Sequence, residues 1–124
     1  MPAAKFNRAM RIDTKLVNPL ATLPSLTVGA EPAPKNNLAF RNLLRANMLK
    51  LATGQQLATF IKSKGVALTP LTKAQIRDGN NGASLAALGT AQRNAFLNNT
   101  PLWFYILREA ELNQGKLGGV GARI

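Results

Sequence analysis

The 124-residue sequence contains no histidine and no cysteine. Without cysteine there is no disulfide framework, no thiol catalysis and no thiolate metal site. The missing histidine excludes more, since imidazole is the commonest general base and the commonest transition-metal ligand. Acid is scarce too: five Asp and Glu stand against sixteen Lys and Arg. Carboxylates so few and so dispersed make no metal cage. Aromatic residues amount to one Trp, one Tyr and five Phe. Long apolar runs are also missing, and none approaches the roughly 20 residues that cross a bilayer. The opening MPAAKFNRAMRIDTKL is basic and amphipathic, as transit peptides are, but it carries Asp13, lacks serine and runs on into a helical pattern. It reads as structure. With no signal peptide and no membrane span, the sequence leaves the compartment open.

What is present is a hydrophobic content of 46%. That is ordinary for a globular protein and too high for a disordered tail. A chain this long can bury roughly two-thirds of its unfolded surface. The net charge of +11 calls for an anionic counterpart: nucleic acid, a membrane surface, or an acidic protein body of which this chain is the basic part. The cations are scattered, and the densest run, Lys62 and Lys64, holds two.

Three segments follow from the patterning. Residues 1–23 read as an N-terminal helix over about 3–18, striped by Phe6, Met10, Ile12, Leu16 and Val17 and ended or kinked at Pro19. Residues 24–37, with Pro24, Gly29, Pro32 and Pro34, read as a Pro-rich linker. Residues 38–124 read as a helical segment.

Within the last segment, Leu38, Phe40, Leu43, Leu44, Met48, Leu49 and Leu51 recur at spacings of three and four and predict a helix over 38–50. Thr53 is placed to cap a second helix over 54–64, with Leu57, Ala58, Phe60 and Ile61 inward and Gln55, Lys62 and Lys64 outward. Gly65 stands where a helix C-terminus wants positive φ. Thr69 and Pro70 signal a short helix over 70–77. Residues 79–89 begin as a loop, with a short helical stretch near 85–88 that 91–97 extends. Thr100 as cap and Pro101 as first helical residue open a helix over 101–113, apolar on most sides and ended by Gly115. Tyr105 and Met48 read as core residues. Glu109 and Glu111, two apart on that helix, point in different directions and form no catalytic pair. Gly118, Gly119 and Gly121 follow no predicted strand, so they make no phosphate loop. The expected fold is all-α, without a sheet.

Three blocks of this sequence resemble the bacterial members of the animal-type haem peroxidase family, the peroxidase–cyclooxygenase superfamily. AFRNLLRANMLKLATGQQLA is similar to that family's "RNLLRG … LPSGQ … A" block, which lies after the proximal histidine. RIDTKLVNPLATLP is similar to the segment upstream, where a helix ends in an "LP" turn. TPLWFYILREAE … GKLGGVGARI resembles the C-terminal signature "TPLWYYILKEAE … G … LGPVGGRI", past which family members continue into a further helix. The order agrees. Ala46, Ala52–Thr53 and Gly119 depart from the family's glycine, Pro-Ser and proline.

The resemblance implies the C-terminal portion of a mainly helical haem peroxidase, an oxidoreductase that uses peroxide to oxidise a donor. In that family the proximal imidazole's outer N–H donates to an asparagine of a later helix, which fixes the ring and strengthens it as a donor. By motif position that asparagine is Asn42. Arg41 and Arg45 flank it and are candidates for haem propionate contacts, since the guanidinium fork pairs with carboxylates. Read from composition alone, Asn42 is a solvated helix residue and the arginines lend solubility. The family's histidines lie upstream of these blocks. The chain is therefore expected to need the remainder of a peroxidase chain as partner and to bind no haem with histidine ligation alone. Met10, Met48 and Tyr105 are what remain as axial candidates. A split gene, a truncated frame and an expressed fragment all fit. Loose packing follows for an isolated piece, with Trp103, Phe104 and Ile106 partly exposed. Two other readings stand beside it: a basic helical module that binds nucleic acid, and a catalytically dead remnant kept as an interaction surface.

Overall fold

Every helix here begins or ends on an identifiable local device. The structure, a computed structural model, describes residues 10–16, 20 and 37–124. Among them are five α-helices and no strand: α1 (Leu38–Met48), α2 (Gly54–Ser63), α3 (Lys73–Asp78), α4 (Thr90–Asn98) and α5 (Leu102–Leu112), followed by a 3₁₀ turn at Gly121–Arg123. The all-α expectation holds for the described residues.

Helix α1 starts where the Asn37 side chain accepts from the Phe40 amide at 3.2 Å. It ends in a Schellman turn, with Leu51 N–H donating to Ala46 O and Lys50 N–H to Asn47 O. Lys50 holds the left-handed position at φ +50, which glycine usually takes. Helix α2 opens on a capping box: Gln56 N–H donates to Thr53 Oγ1 at 3.2 Å and Thr53 N–H to Gln56 Oε1 at 2.9 Å. Gly65, at φ +82, ends it as expected.

Two caps differ from the sequence reading. Helix α3 begins three residues later than Thr69-Pro70 predicts, because Thr72 and Gln75 form a second reciprocal box at 3.2 and 2.9 Å. Thr100 caps nothing. It is fully buried, its hydroxyl donates to Phe96 O at 2.9 Å and accepts from Gln55 Nε2 at 2.8 Å, and Pro101 rather than Thr100 stands at the N-cap of α5. Gln55 therefore points in toward the α4–α5 junction, not outward. Of the helical stretch expected near 85–88 and extended by 91–97, the first part is only a turn, closed by Leu88 N–H donating to Leu85 O at 3.1 Å, and the second part is helix α4, nine residues long.

Residues 10–16 form no helix, contrary to the expectation for 1–23. The Lys15 amide is taken by Asp13 Oδ1 at 2.8 Å, and Ile12 N–H donates to Gly115 O at 3.2 Å. Local side-chain bonds and tertiary bonds have replaced the helical ladder. Leu20 is helical, and residues 1–9, 17–19 and 21–23 of the expected N-terminal helical segment and 24–36 of the expected linker lie outside the described residues.

The core gathers on α5. Ala58, Ile76, Leu85, Leu97, Phe104, Tyr105 and Val120 form one buried cluster. Phe104 is buried, not partly exposed, with its ring edge-on to Phe96 at 5.0 Å and 83°. Trp103 and Ile106 are half-buried, as expected. Tyr105 is wholly buried and its hydroxyl accepts from Leu71 N–H at 2.8 Å. Burial pushes the Tyr105 phenol above its ordinary pKa, and Glu109 adds to that, against the Leu71 amide. Met48 and Phe60, both read as inward, are 73% and 56% exposed.

Gly54 is where α2 meets α5. A methyl group there would overlap the Tyr105 side chain at Cβ and Cγ. Gly→Ala inside a helix ordinarily stabilises. Here Gly54→Ala should destabilise, by about 1–3 kcal/mol as overpacking does. A urea midpoint equal to or above wild type would contradict the close approach.

Candidate functional site

Helix α1 carries Arg41, Asn42 and Arg45, the three residues singled out from the sequence as cofactor contacts. Turning 100° per residue, it divides into two faces. Leu43, Ala46 and Asn47 lie toward α5, where with Leu51, Ala52, Thr53, Asn99, Pro101 and Leu102 they line a crevice of about 220 Å³. On the other side Arg41, Leu44, Arg45, Met48 and Leu49 line an open hollow of about 530 Å³. The hollow thus holds both arginines of interest. Asn42 is half-buried on the border between the faces and lines neither cavity. The three residues share a helix but not a face.

No residue of α1 is buried. Among the described residues α1 packs by its narrow side toward α5, which leaves its apolar arc uncovered. Phe40, Leu44, Met48, Leu49 and Leu51 all count among the exposed large apolar side chains.

A second polar cluster sits under α5, and sequence reasoning missed it. Arg108 is 0% exposed and donates from Nη1 to Glu111 Oε2 at 2.6 Å and from Nη2 to Ala83 O at 2.6 Å. Phe104 covers the guanidinium plane, 5.0 Å from Cζ. Among the described residues its Nε has no partner. Glu111 also accepts from the Thr14 hydroxyl at 2.6 Å and from Asn80 N–H at 2.7 Å, while Thr14 Oγ1 accepts from Ala83 N–H at 2.6 Å. Burial pushes the Glu111 carboxyl up, but hydrogen bonds from Thr14, Asn80 and Arg108 outweigh it and hold the pKa below its ordinary value. The signal was in the sequence: two charges three apart on a helix read as buried must pair.

Glu109 turns the other way, accepting from Val120 N–H at 2.9 Å and Gly121 N–H at 3.0 Å and pinning the glycine-rich turn to α5. Both carboxylates are thus committed to structure, and neither is poised for proton transfer. Among the described residues no three of His, Cys, Asp and Glu gather as metal ligands. No helix among them is long and apolar enough to cross a membrane.

The axial candidates fit haem poorly. Met10 and Met48 are 80% and 73% exposed, and Tyr105 is buried with its hydroxyl engaged by Leu71. With no histidine in the sequence, this chain brings no imidazole to haem iron, so any part it plays at a haem lies beyond that ligand. Compared with known proteins, the chain matches no family model, no curated protein and no solved structure.

Proposed function

We propose that this chain is the C-terminal segment of a haem peroxidase, supplying the proximal side of the pocket to a partner body that carries the histidines. The observation that carries the reading is α1, the helix bearing the family-like RNLLR block. It has no buried residue and exposes an apolar arc beside Asn42, as a helix does when another body is meant to cover it. Three family-like blocks in family order support it.

In this reading Asn42 accepts the outer N–H of the proximal imidazole and fixes that ring's orientation. Arg41 and Arg45 place positive charge next to it, where a carboxylate of the haem edge or of the partner is met. The bound haem supplies the peroxide chemistry. This chain's residues orient and shield.

Split complementation tests the reading. The probe is a bacterial member of that family truncated before its RNLLR block, mixed with haem and this chain. This chain with haem alone should give no Soret band of histidine-ligated haem. The two halves together should give that band and peroxide-dependent dye oxidation. If the mixture behaves like the truncated half alone, the reading fails.

A further inference from the structure

The stretch from Asn37 to Arg77 contains seven Lys and Arg and no Asp or Glu. Within it lies the exposed arc of α1. Around the helix the order is Phe40, Leu44, Met48, Arg41, Arg45, Leu49, and the two ends of this arc are about 180° apart. The arginines fall inside the apolar arc, not at its border.

That placement selects among occupants. On a bilayer, an apolar arc enters deepest at its middle, and cations are favoured at the flanks, where they reach headgroups. Arginines inside the arc would be driven toward hydrocarbon, which is costly. A second copy would set Arg45 against Arg45, in a stretch from Asn37 to Arg77 that holds no Asp or Glu to offset them. A flat ring bearing propionates covers only a narrow strip of a cylinder. A groove between two elements of a protein covers half a circumference, and carboxylates on its floor can meet Arg45 by a two-bonded fork.

We propose that the outer face of α1 is a docking helix for a protein partner that offers an apolar groove with carboxylates at its floor, Arg45 being the residue that meets them. Only the partner's identity as a peroxidase body rests on the preceding reading. The groove's chemistry does not. Leu44 and Met48 fill the groove on one side of Arg45 and Leu49 fills it on the other.

The probe is a designed helical hairpin, its groove lined by leucine with two glutamates on the floor, labelled for fluorescence anisotropy and titrated with the full chain. The hairpin should bind. Arg45→Glu should weaken binding by about tenfold or more, and a hairpin with lysine in place of glutamate should bind Arg45→Glu and not the wild type. Leu44→Ala with Met48→Ala should weaken binding without the charge-swap rescue. Arg45 is exposed, so the variant should keep wild-type helicity by circular dichroism. The proposal is overturned by absence of hairpin binding, by equal binding of a glutamine hairpin, or by an Arg45→Glu chain that binds as before. It is equally overturned if phosphatidylglycerol vesicles bind the chain through this face, or if light scattering shows a dimer that Leu44→Ala dissolves. No haem enters the experiment, so its outcome and that of split complementation are independent.

Discussion

Arg108→Ala should cost about 3–5 kcal/mol, the usual effect of removing one partner from a buried ion pair. Both side chains are out of water, at 0% and 3% exposure, so little solvent is available to compensate the charge that remains. Glu111 would keep its bonds from Thr14 and Asn80 but lose the cation that offsets its burial. Ala83 O would lose its donor, and the Phe104 ring the group stacked over it. Single domains hold only about 5–15 kcal/mol in total. For a chain of this size the loss corresponds to a melting temperature lower by about 12 °C or more. Circular dichroism against temperature reads it directly. A shift of only two or three degrees would mean that the pair is not buried as described.

Replacing both partners with apolar residues, Arg108→Met with Glu111→Leu, should recover only part of that loss. In many buried pairs the double replacement is neutral or better. Here Glu111 also serves amides of the 10–16 strap and of the loop after α3, and those donors would be left unpaired. The same carboxylate makes the fold acid-sensitive. Its folded pKa lies below its unfolded one, so the stability it contributes is fully present above about pH 4.3 and is lost as pH falls through the folded value. The acid limb of the stability curve should therefore flatten in Glu111→Gln.

The sequence was most legible where one residue settles a local choice. Thr53 and Gly65 bound α2 because a hydroxyl at the N-cap and a positive-φ residue past the C-terminus each satisfy backbone groups whatever the surroundings. Legibility failed where tertiary partners outbid local ones. Thr100 looked like a cap for the helix after Pro101, yet Gln55, 45 residues away, claims its hydroxyl. Residues 10–16 had helical spacing but spend their amides on Asp13, Glu111 and Gly115. Apolar periodicity reported the arc of α1 correctly and could not say whether this chain itself covers it. Met48 was read as core for that reason and is exposed. Of the candidate site, the helix was legible from its spacing. The division of its faces, with Arg41 and Arg45 on the open hollow and Asn42 at its border, required the packing against α5.

Asn42 should matter only once the histidine-bearing half is present. In the chain alone Asn42→Ala should leave stability within about 0.5 kcal/mol, as substitutions on a helix with no buried residue usually do. In the complemented enzyme the expectation changes, because the side-chain oxygen would then accept from an imidazole N–H. Asn42→Ala removes that acceptor, and loss of such a partner typically costs about 10- to 100-fold in affinity or activity. Asn42→Asp keeps an acceptor and adds negative charge, drawing the shared proton away from the ring. The imidazole becomes a stronger donor to iron, and the reduction potential should fall below that of the wild-type complement. The two variants thus separate positioning from charge: Ala weakens the site, whereas Asp shifts its potential downward. Turnover with a dye donor and a spectroelectrochemical titration of the Soret band read the two effects. Unchanged turnover in Asn42→Ala together with an unchanged potential in Asn42→Asp would place Asn42 on a solvated edge and remove it from the haem pocket.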